Sequence, residues 1–125
     1  MDEFYSLEKL EIYQLANEIG DKVWKIVYDW NYFEKDTIGK QFARAVDSIS
    51  ANIAEGYGRY SFKENIQFCY YSRGSLMESK NWLVKAKERD LVSKERGDLL
   101  HEDLNYLLKR LNGYISYLKK QIVKK

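Results

Sequence analysis

Not one of the 125 residues is proline, and only seven are glycine. Proline breaks a helix by removing a donor and clashing with the preceding turn, and an interior glycine costs about 1 kcal/mol. A chain so poor in both residues, with 45% hydrophobic side chains, is predicted to form long helices joined by short turns. Its length suits one core, and no linker-like stretch divides it. Residues 1–125 therefore read as a single domain.

Hydrophobic periodicity places four helices along it. Ile12, Ala16, Ile19, Val23, Ile26, Val27 and Trp30 recur at three-and-four spacing, which predicts a first helix from about Leu7 to Trp30 with Ser6 as its N-cap. "NYFEK" reads as a turn. The second helix is expected to begin near Asp36 or Thr37, with Ile38, Phe42, Ala45, Val46, Ile49 and Ile53 inward. Gly56 or Gly58 is expected to close it in the left-handed conformation. "SFKE" then supplies Ser61 as N-cap and Glu64 three residues on, a capping box. The third helix is predicted to reach about Arg89, turning Ile66, Cys69 or Tyr70, Leu76, Met77, Leu83 and Ala86 inward. Ser93 is a candidate N-cap for the fourth, whose seam is Leu100, Leu104, Leu107, Leu108, Leu111, Tyr114, Ile115, Leu118 and Ile122. Four comparable helices with short connections predict an all-α, antiparallel up-down-up-down four-helix bundle.

Several function classes lose ground on composition. Apolar runs are too short for a membrane span, and the acidic start "MDEFYSLEKLE" lacks a signal-peptide core, so the cytoplasm is the expected location. Cys69 is the single cysteine, expected as a reduced small hydrophobe. Bundle di-metal centres use paired Glu-x-x-His motifs. The nearest match is Asp98 with His101, and there is one histidine in the chain. That histidine lies among acids and is expected to face solvent. No metal, cofactor or catalytic residue is therefore assigned; an enzyme built on Glu55 with Arg44 or Arg59 would lack a second acid or nucleophile.

Charge is uneven. Residues 1–34 hold eight acidic and three basic side chains, and residues 35–125 eleven and eighteen. Lys109, Arg110, Lys119, Lys120, Lys124 and Lys125 crowd the last seventeen residues, which contain no acid. With Lys85, Lys87 and Arg89 they are the candidate nucleic-acid-binding surface. The same lysines would equally complement a helix C-terminus and stay solvated. Eleven tyrosines and three tryptophans exceed what one seam needs, and amphipathic rings outside a core favour interfaces. Tyr106, Arg110, Gly113 and Tyr117 form such a stripe on the fourth helix, and a homo-oligomer is expected.

The most distinctive stretch is "SISANIAEGYGR", residues 48–59. Arg44, Ser48, Asn52 and Glu55 share one helix face, with Arg59 in the series only if the helix passes Gly56. Beside the Ile49 and Ile53 core face, such a stripe reads first as a hydrogen-bonded network fixing register or a subunit contact, and second as a ligand site. Arg73 and Glu78 on the third helix are its expected partners.

"QFARAVDSISANIAEGYGR", followed by "KENIQFCYYSRGSLMESKNWLVKA", resembles the bacterial four-helix-bundle family of 23S rRNA-intervening-sequence proteins, also called S23 ribosomal proteins. The resemblance spans about Leu10 to Lys120. Relatives often have proline where this chain has Ser50, which implies a less kinked second helix here. The resemblance implies a homopentameric ring and leaves biochemical function unsettled; with no catalytic set assembled and a basic surface present, a non-enzymatic interaction protein is expected, with RNA or a nucleoprotein as its other partner. A related branch serves as the accessory subunit of diversity-generating retroelements, binding reverse transcriptase and nucleic acid. That alternative asks for a more basic chain than this one.

Overall fold

The predicted periodicities become four long helices: α1 (Glu11–Tyr28), α2 (Lys40–Tyr57), α3 (Phe62–Glu88) and α4 (Lys94–Val123). The computed structural model describes residues 6–124, among which there is no strand. Lys125, one of the candidate nucleic-acid-binding residues, lies outside the described residues.

The first two helix starts differ from expectation. Leu7–Lys9 form a 3-10 turn, and Leu10 is extended (φ −76°, ψ 118°), so α1 begins at Glu11. The Ser6 side chain makes no cap hydrogen bond; instead the Gln14 amide donates to the Glu8 carbonyl at 2.7 Å. After α1 the chain becomes helical again sooner than "NYFEK" suggests. A short helical turn, Tyr32–Glu34, and a π-helical turn, Lys35–Gly39, run without a break into α2. The π turn inserts a residue and lays Gly39 against α1. A Cβ there would lie 2.9 Å from Val27 Cγ1 and 3.0 Å from the Glu34 carbonyl oxygen. Further on, α2 continues unbroken through Ser50, whose hydroxyl donates to the Asp47 carbonyl at 3.2 Å.

Neither Gly56 nor Gly58 takes the left-handed conformation. Gly58 closes α2 at φ −80°, and Gly56 is a buried helical residue. The one positive φ among the described residues belongs to Asp90, at 56°. Asp90 ends α3 in a Schellman motif, with Leu91 N–H donating to the Ala86 carbonyl (2.9 Å) and Asp90 N–H to that of Lys87 (3.2 Å). Both later N-caps form as read: Ser61 Oγ accepts from Glu64 N–H, and Ser93 Oγ from Arg96 N–H, each at 3.2 Å. Trp30 ties the two loops at this end together, its indole N–H donating to the Leu91 carbonyl at 2.8 Å.

The core draws on all four helices. Its α1, α2 and α4 faces are the predicted ones, while α3 differs in an informative way. Met77 is half exposed rather than inward. Besides Ile66, the buried positions of α3 run Asn65, Cys69, Ser72, Leu76, Ser79, Leu83, Ala86, a four-three alternation. Every second member is small or polar. A helix with so little bulk on its inner face can approach a neighbour closely, and α2 is that neighbour. Ser72 Oγ donates to the Ile49 carbonyl at 2.8 Å, and a Cβ on Gly56 would meet Asn65 Oδ1 at 2.7 Å and Phe68 Cβ at 2.8 Å.

Candidate functional site

The polar face of α2 is tied largely to its own chain and to the first turns of α3. Asn52 Nδ2 donates back to the Ser48 carbonyl at 2.9 Å. Glu55 pairs at 3.0 Å with Arg59, which lies two residues beyond the end of α2 rather than on the helical face. Arg59 also reaches Glu64 at 3.9 Å and lies over the Phe68 ring at 4.7 Å. Arg44 is exposed, upstream of these. The expected partners point elsewhere: Arg73 donates to Asn112 Oδ1 on α4 at 2.8 Å and covers Tyr70, and Glu78 accepts from its own helix neighbour Trp82 at 3.1 Å. No network joins the stripe to Arg73 or Glu78, because α3 turns its small residues toward α2 and its long ones past it.

The buried polar groups that join helices are ones that sequence reading passed over. Ser72 is fully buried against α2. Asn65, also buried, donates to the Tyr114 hydroxyl at 3.3 Å and accepts the Cys69 thiol proton at 3.7 Å. Burial pushes the Cys69 thiol up to about 11 and raises Tyr114 as well. Both stay neutral hydrogen-bonding groups. The signal was present in the sequence: Asn65, Ser72, Ser79 and Ala86 recur every seven residues, a period that hydrophobicity alone does not register.

The candidate basic surface is split. Lys85, Lys87 and Arg89 lie at the C-terminal end of α3, where Lys87 pairs with Asp98 at 2.6 Å. Lys119, Lys120 and Lys124 lie at the far end of α4. Twenty-one residues of helix separate Asp98 from Lys119, about 30 Å at 1.5 Å per residue, so the two sets are not one patch on a single chain. Between them Lys109 is exposed, and Arg110 is tied to Glu11 of α1 at 2.6 Å. Arg89 is exposed at the proximal end, and Lys119, Lys120 and Lys124 are exposed at the distal end, with Lys119 over the Tyr70 ring at 5.8 Å.

Exposed rings form a second surface. Trp24 and Tyr28 of α1, with Tyr32 and Phe33 just beyond, are each between 61% and 78% exposed. Elsewhere Tyr71, Met77 and Val84 of α3 and Leu99, Tyr106 and Tyr117 of α4 are exposed. Gly74 and Gly113, among these residues, have nothing within 4 Å of where a Cβ would stand. His101 is half-buried rather than facing solvent. Among the described residues no three His, Cys, Asp or Glu side chains are grouped to hold a metal, and no helix is long and apolar enough to cross a membrane.

Comparison with known proteins follows the same line. The family model for the 23S rRNA-intervening sequence protein matches residues 8–113. No curated protein matches the chain. Among solved structures, a protein of unknown function from the S23 ribosomal protein family of Bacteroides thetaiotaomicron superposes with a TM-score of 0.75. The match covers 83% of this chain and 97% of that one at 19% identity, a likeness of fold.

Proposed function

The chain belongs to the 23S rRNA-intervening sequence protein family, and from that premise we propose a non-enzymatic, cytoplasmic interaction protein that assembles into a ring and associates with RNA or a nucleoprotein. Cross-helix pairs support an up-down-up-down bundle. Lys87–Asp98, Lys80–Asn105, Arg73–Asn112 and Asn65–Tyr114 run in opposite senses along α3 and α4. Glu11–Arg110 and Lys22–Asp103 do the same for α1 and α4.

The observation that carries assembly is the presence of two unlike exposed faces. One is the Trp24, Tyr28, Tyr32, Phe33 cluster, and the other is the Tyr71, Met77, Val84 side of α3. Unlike faces make heterologous contacts, which close into rings when the rotation permits; a ring of five is the number that the family resemblance implies. Light scattering at micromolar concentration tests this. The parent should be a closed oligomer, and Trp24→Glu and Met77→Glu should each dissociate it. Mixing those two variants should restore dimers, since each keeps the face the other lacks. A monomeric parent would refute the ring. RNA association should fall steeply with added salt and weaken when Lys119, Lys120, Lys124 and Lys125 become alanine.

A further inference from the structure

The turn between α2 and α3 borders a cavity of about 480 Å³, within the usual range of ligand sites, about 300–1,000 Å³. Its walls bring together Tyr57 from the end of α2, Tyr60 from the turn, Tyr114 and Tyr117 from α4, and the cations Lys9 and Arg59. Among the described residues no carboxylate lines it. Tyr114 and Tyr117 are stacked, with centroids 6.2 Å apart and planes at 23°. Tyr60 stands at the mouth, 102% exposed. Asn65 offers a buried amide at the wall; one N–H goes to Tyr114, leaving a second donor on the same nitrogen. Beyond the mouth, Lys120 and Lys124 follow Tyr117 at steps of three and four, on its side of α4.

Flat rings, a buried amide and a wall whose described lining includes cations are complementary to a planar heterocycle carrying a phosphate. We propose that this cavity takes one base of a single-stranded nucleic acid, with the flanking phosphates running over Arg59, Lys120 and Lys124. This deepens the RNA association proposed above and rests on it. Bases of any sequence have a π-face for tyrosine to stack on, and backbone charge is tracked by lysine and arginine. A duplex keeps its bases stacked inside, so it would meet the lysines without filling the cavity. Glu55 holds the Arg59 guanidinium at 3.0 Å and Glu64 lies 3.9 Å from it, so an arriving phosphate would compete with both.

The test is fluorescence anisotropy on the full chain with a labelled ten-nucleotide uridine RNA, and with an RNA duplex of the same length. The single strand should bind more tightly. Tyr60→Ala and Tyr117→Ala should each weaken it about tenfold, the scale of one lost base stack, without changing the dependence on salt. Replacing Lys120 and Lys124 by alanine should instead flatten the salt dependence, and Glu55→Gln should tighten binding. Both tyrosines are exposed, and thermal melting checks that each variant folds. Equal affinity for duplex and single strand, or indifference to both tyrosines, overturns the cavity assignment and leaves RNA association standing. Absence of binding to either RNA at low salt overturns both.

Discussion

Gly56→Ala isolates the close approach of α2 and α3. The added methyl would lie 2.7 Å from Asn65 Oδ1, 2.8 Å from Phe68 Cβ and 3.1 Å from the Asn65 carbonyl oxygen. Two of those atoms are fixed to the α3 backbone or are part of it, so no rotamer change relieves the collision. The helices must separate by some tenths of an ångström in a region packed at crystal-like density. Overpacking of this kind costs about 1–3 kcal/mol, and the rigid neighbours place it toward the upper end. Against that, alanine improves a helical glycine by about 1 kcal/mol. The net expectation is a loss of about 2 kcal/mol. Gly74 and Gly113 supply the control, because nothing lies within 4 Å of either Cβ position. There the same substitution should raise the stability of the bundle by about 1 kcal/mol.

Urea unfolding followed by far-ultraviolet circular dichroism measures all three variants, with the slope checked for constancy. Protein concentration is varied, so that any linkage to assembly is visible. If Gly56→Ala is as stabilising as Gly74→Ala, the close-packing account of the motif is wrong.

Three further substitutions probe other joints. Hydrogen bonds from Lys87 and Lys94 hold the Asp98 carboxyl down at about 2. A depressed carboxylate contributes stability that is complete above its unfolded pKa and is lost as pH falls through the folded one. Asp98→Asn should therefore flatten melting temperature against pH between about pH 4 and pH 2. Asp90→Gly should stabilise by about 1 kcal/mol in urea titration, because glycine meets no Cβ penalty at φ 56°. Glu55→Ala should change stability by no more than about 0.5 kcal/mol, since its ion pair with Arg59, just past the end of α2, is exposed on both sides. A larger loss in the same assay would restore the network reading of the stripe.

What the sequence made legible was what periodicity encodes. The α1, α2 and α4 seams and the Ser61 and Ser93 caps all depend on residues within four positions of one another. Local rules suffice for those. The π turn before α2 depends on Gly39 meeting Val27 of another helix, and no local pattern announces that. Gly56 was legible as important but for another reason: a glycine near a helix end suggests a left-handed residue, while this one serves side-to-side contact. A tight turn that folds α3 back alongside α2 suggests Arg73 and Glu78 as partners of the stripe. Side-chain direction decides partners, and both point away from α2. The separation of Lys87 from Lys119 follows from helix length alone, once α3 and α4 are seen to run their whole extent.

The two faces of α3 bear on why one helix would carry so many marks. Inward, Asn65, Ser72, Ser79 and Ala86 give up bulk so that α2 can come close, and the Ser72 hydroxyl fixes the register on the Ile49 carbonyl. Outward, Tyr71, Met77 and Val84 are apolar without being covered by the bundle. A helix apolar on more than one side is ordinarily buried on more than one side. The inner face has its partner within the chain, so the outer face accounts for the surplus, and Gly74 sits within it with open space around its Cα. That position separates two consequences of a single methyl. If α3 is covered only by water there, Gly74→Ala stabilises the bundle and leaves its size alone. If a second copy packs against it, the variant unfolds later but assembles more weakly, because the added methyl holds the facing helix off. Light scattering over a dilution series, read beside the urea midpoint, tells the two apart. The ring reading requires the second result.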